Sequence, residues 1–409
     1  MERRDDLDVT RMSHFVGIGL VLGFLLPRTS TALLLVNPLL CLFYQLFKQN
    51  RIYYRNNWIV LVPLLLTLFI NLPQEISSKS ILSSATVLMY FFCFPIVGRV
   101  KIPNFYFYLI LTYILLTQLA YVMDIPVVVR FLDTYYPYSE DLVKRFEHMQ
   151  NTITEENMLN FRMGGLYRNS NDCARQLSFL LAGFLVLNGK KSVRKLLPFV
   201  IICFYAVLLT GSRTGFVTAS TLIIVFFFVN KTLSASWRFS FVLLAIGMFF
   251  YLPFYESDSL RGFDVFRTGS VDKKMETFIY YLSTETSSFR ILLGYLDASR
   301  FDVSIAPERI MSSFDSDYGS VIFSYGFIGF LAILFFFYTI FRRMDKYGRL
   351  YFIVLLWMYS STIVKSYRGF FTFMLLLSIV YGYRKKTDYK KHTNWLNALI
   401  MKNFLHKSD

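Results

Sequence analysis

Charge is scarce in this chain. Only 17% of its 409 residues are Asp, Glu, Lys or Arg, where soluble domains carry about 25%. Histidine is scarcer still: His14, His148, His392 and His406 are the full set, which limits metal and general-base chemistry. The four cysteines (Cys41, Cys93, Cys173 and Cys203) lie in or at the edge of apolar runs, with no Cys-x-x-Cys or Cys/His spacing. That argues against a disulfide framework and a zinc site. No dinucleotide fingerprint and no phosphate-loop pattern occurs, so nucleotide-driven chemistry has no support. Internal repeats and low-complexity stretches are absent. The first residues, MERRDDLDVTRM, are charged with mixed sign and lead to no cleavage site. They do not read as a removable signal peptide, and the first helix itself is expected to insert.

What remains is apolar and aromatic. Hydrophobic residues make up 55%, with 44 Phe and 28 Tyr, and mean hydropathy is +0.45. Phe suits hydrocarbon, and Tyr suits membrane interfaces and polar cavities. A membrane core takes about 20 apolar residues as a helix. Such runs fall at 14–27, 31–47, 57–72, 80–98, 104–123, 175–189, 195–210, 214–230, 237–254, 318–341, 349–364 and 369–383. Pro38, Pro63, Pro95 and Pro198 lie inside spans, where neighbouring helices can satisfy the freed backbone. The predicted fold class is therefore all-α: a polytopic membrane protein of about twelve transmembrane helices, one integral domain over 1–409.

Charge sidedness tests this topology. With the N-terminus inside and sides alternating, the inner segments collect most of the Lys and Arg and few of the Asp and Glu. The outer segments hold the two in near balance. That is the positive-inside pattern, with both termini cytoplasmic. The net charge of +16 is thus a topology signal, and nucleic acid is not an expected partner. The basic tail over 384–409 reads as a stop-transfer anchor, with membrane lipid as a second contact.

Two segments, 124–174 and 255–317, are too long to be simple connections, and both fall outside. In the second, Met275, Phe278, Ile279 and Leu282 recur at helical spacing, predicting a helix on the membrane face. In the first, LVKRFEHMQNTI is also amphipathic. Both loops are read as functional, the alternative being that they only cap the bundle.

Several polar constellations edge these loops. Arg213 sits in a turn of a few residues between two apolar helices. A cation at that depth is costly unless it meets an anion, and its planar fork matches phosphate oxygens; the bland alternative is an arginine that snorkels to lipid phosphate. The segment GGLYRNSNDCARQLSFLL carries Arg168 and Arg175. If its helix starts at Asp172, Asn171 is the N-cap, and the positive helix end would join Arg168 in holding a diphosphate. Asp315 and Asp317 stand at another helix mouth, placed to accept a sugar hydroxyl proton or merely to cap. Arg290, Arg300 and Arg309 interleave with Tyr280, Tyr281 and Tyr295, a mixture suited to sugar rings and diphosphate or to stabilising a folded loop. Lys365 and Arg368 flank the last outer turn and are candidates to join the cluster.

Taken together these segments resemble the O-antigen polymerase (Wzy) and O-antigen ligase superfamily. Thr210-Gly211-Ser212-Arg213-Thr214-Gly215 is similar to that family's TGSR turn. Asn169-Ser170-Asn171 resembles its N-P-N element, with Ser170 in place of proline. Asp315 to Gly326, with Tyr318 in register, resembles its polar pair, aromatic and later glycine. Ser288-Phe289-Arg290 followed by Leu293-Gly294-Tyr295 is similar to the arginine and Gly-Tyr of its second outer loop. The motifs span about 160–330. The resemblance implies a membrane glycosyltransferase C (GT-C) type of architecture in a bacterial inner membrane. It implies undecaprenyl-diphosphate-linked glycan as substrate, no cofactor and no metal, and a flippase and a chain-length regulator as partners. The ligase branch carries a histidine where Asp315 stands here, which favours a polymerase. The alternatives are a ligase and a non-enzymatic flippase or transporter. The site expected on these grounds comprises Asp315, Asp317 and Arg213 as catalytic groups. Arg168, Arg175, Arg290, Arg300, Arg309, Asn171, Tyr295 and Tyr318 would bind diphosphate and sugar.

Overall fold

The computed structural model describes residues 2–26, 58–71, 81, 84–85, 87–88, 90–91, 101–123, 125–136, 164–167, 169–229, 269–284, 287–296, 317–360 and 367–384. Among these residues the fold is all-α, with no β-strand. The helices are α1 (Glu2–Leu25), α2 (Trp58–Asn71), α3 (Asn104–Val122), α4 (Pro126–Tyr135), α5 (Ser170–Leu187), α6 (Val193–Leu209), α7 (Arg213–Val229), α8 (Gly269–Thr284), α9 (Ser288–Leu293), α10 (Asp317–Arg343), α11 (Lys346–Arg349), α12 (Trp357–Ser360) and α13 (Tyr367–Arg384). Tight 3-10 turns occupy Gly165–Tyr167 and Leu350–Leu356. The expected spans 31–47 and 237–254, and LVKRFEHMQNTI, lie outside the described residues. Of the expected span 80–98 only 81, 84–85, 87–88 and 90–91 are described, and the span 349–364 is a 3-10 segment over Leu350–Leu356 followed by the short α12, with 361–364 outside the described residues. The remaining expected spans coincide with helices to within a few residues, except that α1 begins a dozen residues earlier, within the charged N-terminal stretch.

The core forms around α5, which is buried on every side from Cys173 to Leu187. A helix that is apolar all round belongs at the centre of a bundle. α13, α7, α6 and α3 pack about it. Aromatic rings fill the gaps: Phe184 stacks on Phe199 at 3.8 Å between centroids, and Phe373 meets Phe337 edge-on at 5.5 Å. Pro63 falls within α2, where Thr67 Oγ1 donates to the Pro63 carbonyl at 3.1 Å.

The helix ends sort to two poles. At the upper pole, Tyr167 Oη donates to the Phe24 carbonyl at 2.8 Å, Ser212 meets Asn171, and Asn71 meets Gly294. At the lower pole, Arg384 closes the bundle. Its Nε donates to the Val186 carbonyl at 2.9 Å and Nη1 to Asp345 Oδ2 at 3.4 Å, while its guanidinium lies over the Tyr347 ring. Val186 is one residue from the end of α5, so this arginine caps a helix C-terminus.

Outward faces are apolar in stripes. Trp58, Val62, Leu66 and Phe69 on α2, Leu197, Ile201 and Tyr205 on α6, and Leu331, Phe335 and Tyr338 on α10 are all exposed. Each set repeats at three to four residues, the period of one helix face. One described helix, Gly319–Arg343, is long and apolar enough to cross a membrane, and Trp58–Asn71, Asn104–Ala120, Thr214–Val229 and Gly369–Arg384 are among the shorter apolar helices.

Two features, one in the second long loop and one in the helix that follows it, differ from expectation. α8 is helical as predicted, but Thr277 and Tyr281 form its buried face, while Ile279 is 58% exposed. The helix turns so that Tyr281 meets Phe323 edge-on at 5.2 Å, and that ring contact outweighs the aliphatic stripe. The larger difference is a break in α10 at Gly326, where φ is 67° and ψ 177°. The freed carbonyls of Phe323 and Ser324 accept from the amides of Tyr295 and Leu296 at 2.8 and 2.9 Å. The strand of chain after α9 is thereby plugged into the helix break.

Gly326 is required twice over: by its positive φ, and because a Cβ there would meet the Leu292 carbonyl oxygen. Replacing it with valine is expected to cost about 3 kcal/mol or more, seen as a large fall in thermal midpoint of the detergent-purified protein. A midpoint unchanged within error would show that the plug is not part of the native packing.

Candidate functional site

The upper pole is built from the start of α5. The turn Gly165–Tyr167 is pinned to α3 by the Leu166 amide donating to Thr117 Oγ1 at 3.1 Å. The chain then enters α5 at Ser170. Asn169, not Asn171, is the N-cap: its Oδ1 accepts from the amides of Asn171 and Asp172 at 2.9 and 3.3 Å. The expectation of Asn171 as cap is corrected by two residues, because Asn169 already offers an acceptor in extended backbone. Asp172 falls in the first turn, where a carboxylate is favoured by the helix dipole. It receives Arg175 Nη2 at 2.7 Å, and Arg175 is only 2% exposed. The expected ligand Arg175 is thus a buried partner of Asp172 that holds the helix entrance in shape.

The turn between α6 and α7 meets this entrance. Gly211 takes φ 59°, the left-handed conformation that glycine enters without strain. Thr210 Oγ1 donates to the Val207 carbonyl and accepts from the Ser212 amide at 3.2 Å. Ser212 Oγ caps α7 by accepting from the Gly215 amide at 3.3 Å, and donates its own proton to Asn171 Oδ1 at 2.9 Å. One hydroxyl therefore ties two helix N-termini together. Gly215 permits the approach, since a Cβ there would lie 2.6 Å from Ala174 Cβ. A third N-terminus joins them: Thr372 Oγ1, in the second turn of α13, donates to Gln176 Oε1 at 2.7 Å. Arg213 is the first residue of α7 and Arg368 the second of α13.

A second cluster forms at the helix break. Arg290 Nη1 donates to Asn71 Oδ1 at 2.7 Å, and its guanidinium stands 5.1 Å from the Tyr295 ring centroid. Tyr295 stacks on Phe323 at 5.2 Å. Asn71 Nδ2 donates to the Thr67 carbonyl at 2.8 Å and the Gly294 carbonyl at 3.4 Å. The half-buried guanidinium thus has a neutral amide as its hydrogen-bond acceptor among the described residues. Such an arginine keeps its charge available to an anion.

Of the expected site residues, Arg213, Asn171 and Arg175 come together at the α5–α7 entrance, and Arg290 with Tyr295 at the break. Asp317 and Tyr318 open α10 at this same pole. Arg168, Arg300, Arg309, Asp315 and Lys365 lie outside the described residues. Asn71, Asp172, Ser212 and Gln176 were not singled out from sequence for these contacts. The available signal was a carboxamide within or at the end of an apolar run, as at Asn71 and Gln176, where a polar group inside an apolar bundle needs a partner.

The Asn171–Ser212 bond gives a direct test by double-mutant cycle. Asn171→Ala and Ser212→Ala should each lower stability, and together by about 1 kcal/mol less than the sum, read as thermal midpoints in detergent. Strict additivity would mean that the two side chains do not meet.

The chain matches no protein-family model and no curated protein. Its function is to be read from the chemistry of this pole.

Proposed function

We propose that this chain is a polytopic inner-membrane glycosyltransferase that joins polyprenyl-diphosphate-linked repeat units on the outer face. The membrane reading draws support from the apolar stripes on the outside of the bundle. Exposed side chains such as Phe69, Phe105 and Leu331 are each about as open as a charged surface residue would be (64%, 65% and 59%), and contiguous apolar surface on this scale calls for a lipid solvent. The sorting of helix ends to two poles agrees with alternating spans.

The observation that carries the function is the locked pair of helix N-termini. An arginine in the first turn of a helix is opposed by that helix's own dipole, and so is a second positive helix end beside it. Arg213 stands in such a place at the start of α7, next to the start of α5. A diphosphate resolves this arrangement: its charge meets two helix ends and a guanidinium fork at once. Arg290 over Tyr295 offers a second cation beside an aromatic face, suited to sugar next to phosphate.

The chemistry is an inverting displacement. The hydroxyl oxygen of the acceptor repeat bonds to the anomeric carbon of the donor. The bond from that carbon to the lipid diphosphate breaks, and the diphosphate leaves with the electron pair. Arg213 and Arg290 stabilise the charge that develops on it. The hydroxyl proton passes to a carboxylate, assigned to Asp315 or Asp317, the latter at the mouth of α10.

Deletion of the gene should leave surface glycan capped with a single repeat on a gel, and wild type should restore the ladder. Arg213→Lys should insert normally yet yield roughly a hundredfold less polymer, because lysine lacks the fork. A full ladder from Arg213→Lys would sink the assignment. Unattached long polymer in the deletion strain would instead indicate a ligase.

A further inference from the structure

The lower pole carries a basic cluster that the chemistry above does not use. Lys101 precedes α3, and Lys190, Lys191, Arg194 and Lys195 surround the start of α6. All but Lys191 are exposed. The two helix starts are held together by Tyr108, whose ring meets Phe199 edge-on at 5.2 Å, and by Phe107 against Phe199 at 6.5 Å. Neither 97–108 nor 185–201 contains an Asp or Glu, so the cluster has no acidic neighbour along its own chain segments. The lysines feel one another: partial burial, then Lys101 and Lys195, hold the Lys191 ammonium below the usual lysine pKa.

Two further features make this arrangement unfavourable as it stands. Arg194 and Lys195 occupy the first turn of α6, the end where the helix dipole repels cations. Ser192 precedes that turn; its carbonyl accepts from the Lys195 amide at 3.0 Å, but its side chain makes no cap bond to the first turn of α6. Basic side chains and a helix end without a side-chain cap select the same thing, a phosphate. Immediately along the helices the surface turns apolar: Phe105 (65%) and Leu109 on α3, and Leu197 and Ile201 (56%) on α6, are exposed.

We infer that Lys101, Lys191 and Lys195, with the start of α6, form a binding site for an anionic phospholipid of the inner leaflet, headgroup on the lysines and acyl chains along α3 and α6. The charged cluster and apolar flank are in the order that such a lipid presents them, which a soluble phosphate would not use. This inference rests on the membrane reading above and is independent of the polymerase chemistry.

The test is native mass spectrometry of the full chain, released from detergent after exchange into phosphatidylglycerol or phosphatidylcholine of equal acyl length. Wild type should retain phosphatidylglycerol at least roughly fivefold better. The Lys101→Gln/Lys191→Gln/Lys195→Gln variant should retain the two equally, while Arg342→Gln/Arg343→Gln at the same pole keeps the preference. Equal retention by wild type, or an undiminished preference in the triple variant, overturns the site. Carbonate washing of cell membranes separates the two readings: a chain that stays in the pellet but shows no lipid preference refutes the site alone, and a chain that washes off refutes the membrane assignment with it.

Discussion

Gly215 has no side chain, and any Cβ there would sit 2.6 Å from that of Ala174. That single close approach lets α5 and α7 run in contact from their first turns. Everything proposed for the upper pole depends on it. With the helices in contact, the Ser212 hydroxyl can cap its own helix and still reach Asn171. With Ser212 fixed, Arg213 has one backbone position relative to the start of α5. A bulkier residue at 215 would part the helices by more than a hydrogen bond can stretch, and the two N-termini would cease to act as one positive edge.

The charges around this edge follow from burial. Arg175 is almost as deeply buried as the leucines around it in α5, at 2%. An uncompensated guanidinium there would be costly, and Asp172 one turn earlier supplies the compensation at 2.7 Å. The pair carries no net charge. What it does is fix the shape of the helix entrance. Arg290 follows a different rule: a neutral asparagine holds it, which orients the fork and leaves its charge unneutralised by that bond. Orientation without neutralisation is what a site for phosphate oxygens needs.

The helices were legible because apolar runs of membrane length admit few other structures. Trp58–Asn71 and Asn104–Val122 coincide almost residue for residue with runs read from composition alone. The caps were less legible: Asn169 and Asn171 are both good caps, and only the packed structure decides that the first is used for the helix and the second for Ser212. From sequence Tyr281 suits either a sugar ring or a folded loop; it is buried against Phe323, and period alone does not say which flank of α8 meets a ring. The break at Gly326 had no local signal beyond the glycine itself. Its cause is non-local: two amides from residues 295 and 296 replace the hydrogen bonds that α10 gives up. Nothing near Gly326 in sequence encodes that partner.

A bundle of Phe and Leu helices could pack in many registers, since apolar contact is nearly indifferent to a shift of one turn. The buried polar pairs are not indifferent. Gln176 with Thr372 sets α5 against α13, Gln118 with the Ala206 carbonyl at 3.1 Å sets α3 against α6, and Asn171 with Ser212 sets α5 against α7. A slip at any of them would strand a carboxamide or hydroxyl in an apolar core, at about 1–3 kcal/mol for each group left unpaired. The pairs involve five helices, and they lie toward the upper pole. Among the described residues the lower pole is held by the knot of Arg384, Val186 and Asp345, with Lys346 Nζ donating to the Val229 carbonyl at 3.2 Å beside it. The polar pairs between described helices thus gather at the end where the starts of α5, α7 and α13 meet, and a site built there would inherit their fixed geometry.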